Sequence, residues 1–198
     1  MRGSITREVI VQGALVILET EGMEKLSMRR LGRELGVKAM SLYNHVSNKA
    51  DLLNAIHAQL LGELTQPTDG LEWEDAIRGV ATDFRDLLAR HPQTIPLFAT
   101  RSAIAPESLN FLDACIGSLR KAGFETQTAL QVFQILFSFV LGHAQFYFSE
   151  RSEDSLSRMQ DYENYEHLSK VSSVCPKHVQ AEFETAIESL IRGFRDLL

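Results

Sequence analysis

Apolar residues fall on helical spacing along most of the chain, and no segment shows strand-like alternation of useful length. Residues 5–21 carry two adjacent stripes, Val9 or Ile10 with Ala14 and Ile17, and Val11–Leu15–Leu18. That wide apolar face suits a helix covered by two neighbours. Met28, Leu31 and Leu35 share one face of a short helix whose N-cap is Ser27. Gly36 follows, where a helix end favours a residue tolerant of positive φ. A second short helix is predicted to open at Val37. Ala39, Leu42 and Val46 lie on its inner face, and Lys38, Met40, Ser41, Tyr43, Asn44 and His45 lie on or near its outer face. Asn48, with Asp51 three residues on, caps a long helix carrying Leu53, Ile56, Leu60 and Leu64.

Gln66-Pro67-Thr68-Asp69-Gly70 is the clearest break, and all five prolines lie at or beyond Pro67. The boundary is therefore placed near residue 66, giving units 1–66 and 67–198. Helices are predicted over 72–90, over 106–123 from Pro106, and from Thr126 to about residue 150. A short irregular or helical piece spans Gln93 to Thr100. In the 126–150 helix, Phe133, Phe137, Val140, Leu141 and Ala144 form the expected inner stripe. Leu136, Phe139, His143, Phe146 and Tyr147 continue round the cylinder, so this helix must be covered on all sides. Residues 151–173 are polar and Ser-rich, a candidate lid. Pro176 starts a final helix in which Phe183, Ile187, Leu190, Phe194 and Leu197 make a heptad-like seam. The two helices together predict a four-helix bundle between two chains, with an interface drawn from Phe139, Phe146, Phe183, Ile187, Leu190 and Phe194.

The pattern is thus all-α, with a helix-turn-helix near the N-terminus joined by a long helix to a second helical unit. Charge separates the two. Residues 1–66 carry 8 basic and 7 acidic groups, whereas residues 67–198 carry 12 and 19, in a chain of net charge −6. From Leu26 to Leu53 there are five basic residues against two acidic ones. A basic island in an acidic chain suggests a polyanionic partner for the helix-turn-helix.

The string Leu26-Ser27, Arg29, Leu31, Leu35-Gly36-Val37, Ser41-Leu42-Tyr43, His45-Val46, Asn48-Lys49, Leu52-Leu53 resembles, without gaps, the DNA-binding module of the TetR family of bacterial transcription regulators. The resemblance covers roughly residues 5–65. It implies a homodimeric repressor that binds a palindromic double-stranded DNA operator, with a helical C-terminal domain for dimerisation and for a small-molecule effector. Tyr43, His45 and Lys49 would contact phosphates, and Ser27 would do so from a helix start. Arg29 suits guanine O6 and N7, while Lys38, Ala39, Met40 and Asn44 would face base edges, with Ser41 in the same set. Those four vary within the family with the operator, so they belong to this chain's own site. Family members commonly bind effectors between C-terminal helices. Here Phe84, Leu88, Leu112, Phe137 and Leu141 are the apolar candidates, with Arg101, His143 and Tyr147 as polar anchors.

Other chemistry is poorly represented. No Gly-rich phosphate loop, HExxH or GxSxG string occurs, so neither an enzyme nor a cofactor is implied. Glu163 and His167 are four apart, but two ligands do not make a metal site. Cys115 and Cys175 provide neither a disulfide framework nor zinc spacing, and they fit thiols in a reducing cytoplasm. The N-terminus lacks a signal-peptide pattern. The apolar runs between Leu130 and Phe148 are three residues long, too short for a membrane span, so no membrane partner is expected. The rival reading is a small-molecule-binding or interaction protein that retains the fold without binding DNA. The intact set Arg29, Lys38, Tyr43, His45 and Lys49 argues against it.

Overall fold

The computed structural model describes residues 5–67, 70–100, 105–149, 165–167 and 179–198. Expectations resting on Arg101, Glu163, Cys175, Pro176 and most of 151–173 lie outside those residues. Nine α-helices are present among the described residues: α1 Arg7–Glu21, α2 Met28–Glu34, α3 Ala39–Leu42, α4 Lys49–Gly62, α5 Trp73–Arg90, α6 Ile95–Thr100, α7 Pro106–Lys121, α8 Thr126–Tyr147 and α9 Val179–Arg195. A 3-10 turn, Pro92–Thr94, connects α5 to α6.

Local chemistry sets most boundaries. Thr6, Ser27 and Asn48 cap α1, α2 and α4, each accepting a backbone N–H with its side chain. Gly36 (φ 66) and Gly123 (φ 111) carry the left-handed backbone that ends α2 and α7. The second helix of the helix-turn-helix is shorter than its sequence pattern suggests. It opens at Ala39 rather than Val37, because Val37 is spent in the turn, its amide donating to the Gly32 carbonyl at 2.9 Å.

α1, α2 and α3 pack around Ile10, Ile17, Leu18, Leu31, Leu42 and Val46. α4 packs on α1 on one side and on α6 and α7 on the other, so it joins the two units. α5, α7 and α8 continue the same hydrophobic core, with α9 lying against α8 and α5.

α8 is rotated relative to expectation. Its buried stripe is Ala129, Val132, Leu136, Val140 and Ala144. The small and β-branched residues face the neighbouring helices closely, and Phe133, Phe137 and Phe139 fill the spaces to either side. Gln131, Gln134, Ile135, Ser138, Gly142, Gln145 and Phe146 are exposed. By length and composition α8 does qualify to cross a membrane, with mean hydropathy 1.3, unlike the reading from run length. Its buried stripe lies against α5, α6, α7 and α9, as the core helix of a helical domain requires.

The α9 seam is likewise occupied within the protomer. Phe183, Ile187 and Phe194 are 2%, 2% and 4% exposed, so they cannot form an interface with a second chain. Phe139 stacks on Phe183 at 5.8 Å, and Leu190 packs partly against the core. A heptad-like seam needs a partner helix, and α8 of the same chain supplies it. Of the six expected interface residues, Phe146 alone is largely exposed, at 53%.

Candidate nucleic-acid interface

The helix-turn-helix is held tightly where its two helices meet. A Cβ at Gly32 would stand 2.9 Å from the Val37 carbonyl oxygen and 3.2 Å from the Ala39 amide nitrogen, so only glycine allows this approach. Leu42 and Val46 anchor the inner side at 0% and 1% exposure. The outer side presents Lys38, Met40, Tyr43 and Asn44 to solvent, with Ala39, Ser41 and His45 half-buried between them. Met40 is 74% exposed.

Three charged clusters fix the module. Arg7 on α1 donates to the His45 carbonyl at 2.7 Å and to the Asp51 carboxylate at 2.7 Å. Asp51 also accepts from the Ser47 amide at 2.8 Å. The Arg7 guanidinium and the Ser47 amide hold the Asp51 carboxyl below the usual aspartate range. Arg30 is bound by Glu21 and, at 2.8 Å, by Glu34. Its hydrogen bond lowers the Glu21 pKa. Lys49 Nζ reaches the Met23 carbonyl at 3.4 Å, placing its charge at the start of α4. The side chain of Ser27 accepts from the Arg30 amide at 3.2 Å. Arg29 is exposed on the outer side of α2 and engages no other side chain among the described residues.

The sequence-derived effector residues do not gather in one cavity. Phe84 and Leu88 are fully buried, and Phe84 stacks on Phe137 at 3.9 Å. Leu112 and Leu141 are half-buried. His143 and Tyr147 lie further along α8, facing α9, with their rings 4.7 Å apart. Tyr147 donates to the Glu182 carboxylate. Phe139, Phe148 and Phe183 also surround the His143 ring. Both of its nitrogens are shut off from solvent, without a well-formed hydrogen bond among the described residues. Burial, the largest effect, pulls its pKa below the ordinary imidazole value. The positive charge of Arg85 acts the same way, while the Val179 backbone and Glu182 oppose.

The apolar cavity lies elsewhere, between α5, α7 and α8. Ile77, Val80, Cys115, Leu119, Phe133 and Leu136 line it, with Pro67, Ala76 and Ser118. Its volume is about 20 Å³, room for on the order of one water, whereas drug-sized ligands occupy a few hundred. Burial pushes the Cys115 thiol up to about 12, so it behaves there as an apolar wall. Helical periodicity put Phe133 on the inner stripe of its helix but carried no signal that packing here is incomplete. Arg85 also escaped the sequence reading. It is almost buried, held by Asp86 and Gln180, with its guanidinium 4.6 Å above the Phe183 ring.

Comparison with known proteins gives consistent matches. Residues 10–56 match the family model described as bacterial regulatory proteins, tetR family, and residues 66–198 match that of the tetracyclin repressor-like C-terminal domain. An HTH-type transcriptional regulator of Saccharopolyspora erythraea is 32% identical over 158 residues, covering 79% of this chain and 64% of that protein. The transcriptional repressor DrrR1 of Streptomyces coeruleorubidus is 27% identical over 71% of this chain and 53% of its own length. The chain therefore spans between about half and two thirds of these curated relatives. Among solved structures, the Streptomyces coelicolor TetR family protein ActR in complex with actinorhodin superposes with a TM-score of 0.83 at 25% identity. That match covers 97% of this chain and 96% of that one.

Proposed function

Because this chain belongs to the TetR family of bacterial regulatory proteins, we propose that it is a cytoplasmic, ligand-responsive repressor that binds a palindromic DNA operator as a homodimer. The observation that carries this reading is the outer face of α3. Lys38, Met40, Tyr43 and Asn44 stand exposed on a helix anchored by fully buried Leu42 and Val46. Met40, Asn44 and half-buried Ala39 meet base edges, with Arg29 suited to guanine. Ser27, Ser41, Tyr43, His45 and Lys49 take backbone phosphates and set the register. In the dimer the two α3 helices sit about 34–36 Å apart, one turn of DNA.

Dimerisation uses the exposed face of α8, where Ile135 and Phe146 are 44% and 53% exposed around Ser138 and Gly142. The effector enters between α5, α7 and α8, opening the cavity beside Phe133 and Leu136. Actinorhodin, seen with ActR, marks a polycyclic aromatic compound as a starting probe. Since α4 packs on both units, an effector that prefers the opened form moves α4 and changes the α3 separation. It shifts that balance only by its differential affinity for the two forms.

The test is selection of bound duplexes from a random DNA pool, repeated with Tyr43→Ala and Lys49→Ala. A palindromic winner bound tightly by wild type and poorly by both variants supports the reading. Weak, sequence-blind binding by wild type, with and without candidate effectors, refutes it and leaves a binding protein that only retains the fold.

A further inference from the structure

We propose that Arg33, with Lys38, forms a cationic notch beside the recognition helix that grips one DNA backbone phosphate in each half-site. This rests on the DNA-binding reading above and adds a contact that the family string does not mark. The three arginines of α2 have different fates. Arg30 is neutralised between Glu21 and Glu34 and belongs to the fold. Arg29 faces outward, and Arg33 follows it by four residues, one turn along the same face. Arg33 is exposed, makes no side-chain hydrogen bond or ion pair among the described residues, and touches the acids of the module only through a through-space effect on Glu21. Glu34, the nearest acid in sequence, is already committed to Arg30, so it does not cancel the charge of Arg33.

Arg33 and Lys38 line one open notch with Gly32, Gly36, Val37 and Ser41. A Cβ at Gly36 would meet nothing within 4 Å, so the backbone there is open to a ligand, whereas the space at Gly32 is filled by Val37 and Ala39. Two cations, a hydroxyl and an accessible backbone suit a tetrahedral monoanion. A phosphodiester beside the groove that α3 occupies is such a group. Arg33 supplies the planar fork and Lys38 a movable point charge, a division of labour that fits phosphate contact rather than base reading.

The experiment measures binding of the selected operator by fluorescence anisotropy, using wild type, Arg33→Ala and Arg33→Lys. Each backbone phosphate is neutralised in turn as a methylphosphonate, and salt is varied between about 50 and 200 mM. Neutralising one phosphate per half-site should weaken wild type by on the order of ten-fold and leave Arg33→Ala unaffected at that position. Arg33→Ala should lower the salt slope by about 0.9 per half-site with sequence preference unchanged, and Arg33→Lys should recover most of it. An unchanged slope with wild-type sensitivity at every phosphate overturns the proposal. So does a loss confined to one base pair that Lys does not rescue, which would make Arg33 a base reader. A wild type that selects no operator is visible before any variant is used, and it removes the DNA-binding premise itself.

Discussion

The close approach at Gly32 gives a prediction whose sign depends on two opposed effects. Replacing a helical glycine with alanine ordinarily stabilises by about 1 kcal/mol. Against this, the new Cβ would lie 2.9 Å from the Val37 carbonyl oxygen and 3.2 Å from the Ala39 amide nitrogen. Both obstacles are backbone atoms, and the Val37 amide is tied back to the Gly32 carbonyl at 2.9 Å. No side chain can rotate aside, so the overpacking cost falls in the upper part of its range of about 1–3 kcal/mol. The net expectation for Gly32→Ala is destabilisation by about 1–2 kcal/mol, or a Tm lower by about 2–8 °C for a chain of this size. Relief of the clash moves the start of α3, so operator affinity should fall by on the order of ten-fold, the worth of one misplaced base contact. Gly79→Ala is the matched control. Gly79 is exposed within α5, nothing lies within 4 Å of its virtual Cβ, and the substitution should stabilise by about 0.5–1 kcal/mol. Differential scanning fluorimetry and anisotropy on the selected operator read both quantities. A Gly32→Ala protein as stable as Gly79→Ala, with unchanged affinity, would refute the reasoning.

Two further outcomes follow from the second unit. Phe146→Glu places a charge on the exposed face of α8, and sedimentation should show dissociation to monomer with operator affinity lost. A variant that stays dimeric would place the interface elsewhere. His143→Leu removes a buried imidazole. The folded pKa of His143 lies below its ordinary value, so the unfolded chain binds this proton first and stability falls as pH drops from about 6.5 through the folded value. Between pH 7 and 5 the Tm of His143→Leu should therefore fall less than that of wild type. Parallel Tm profiles would show that the imidazole is not held neutral in the folded chain.

The features legible in residue order alone were local. Thr6, Ser27 and Asn48 accept backbone amides three residues on, and Gly36 and Gly123 permit a backbone that other residues resist. These interactions span a few residues, so element order and the helix-turn-helix were legible before any packing was known. Periodicity likewise separated Leu42 and Val46 from Lys38, Met40, Tyr43 and Asn44. Other features were decided by partners distant in the chain. A 3.6-residue period says that α8 and α9 each have an apolar face, but not which helix covers it. Phe183, Ile187 and Phe194 read equally well as a seam for a second protomer or for α8 of the same one. Only docking of α9, with Arg78 bonding Glu188 at 2.6 Å and Arg85 bonding Gln180, selected the latter. The notch at Arg33 was hidden for a related reason. Three arginines in one short helix look alike until Glu21, nine residues before Arg30, pairs with that one and leaves Arg33 outside the ion pair. The cavity beside Phe133 is a mismatch of volumes between three helices, a property that exists only once they are packed together.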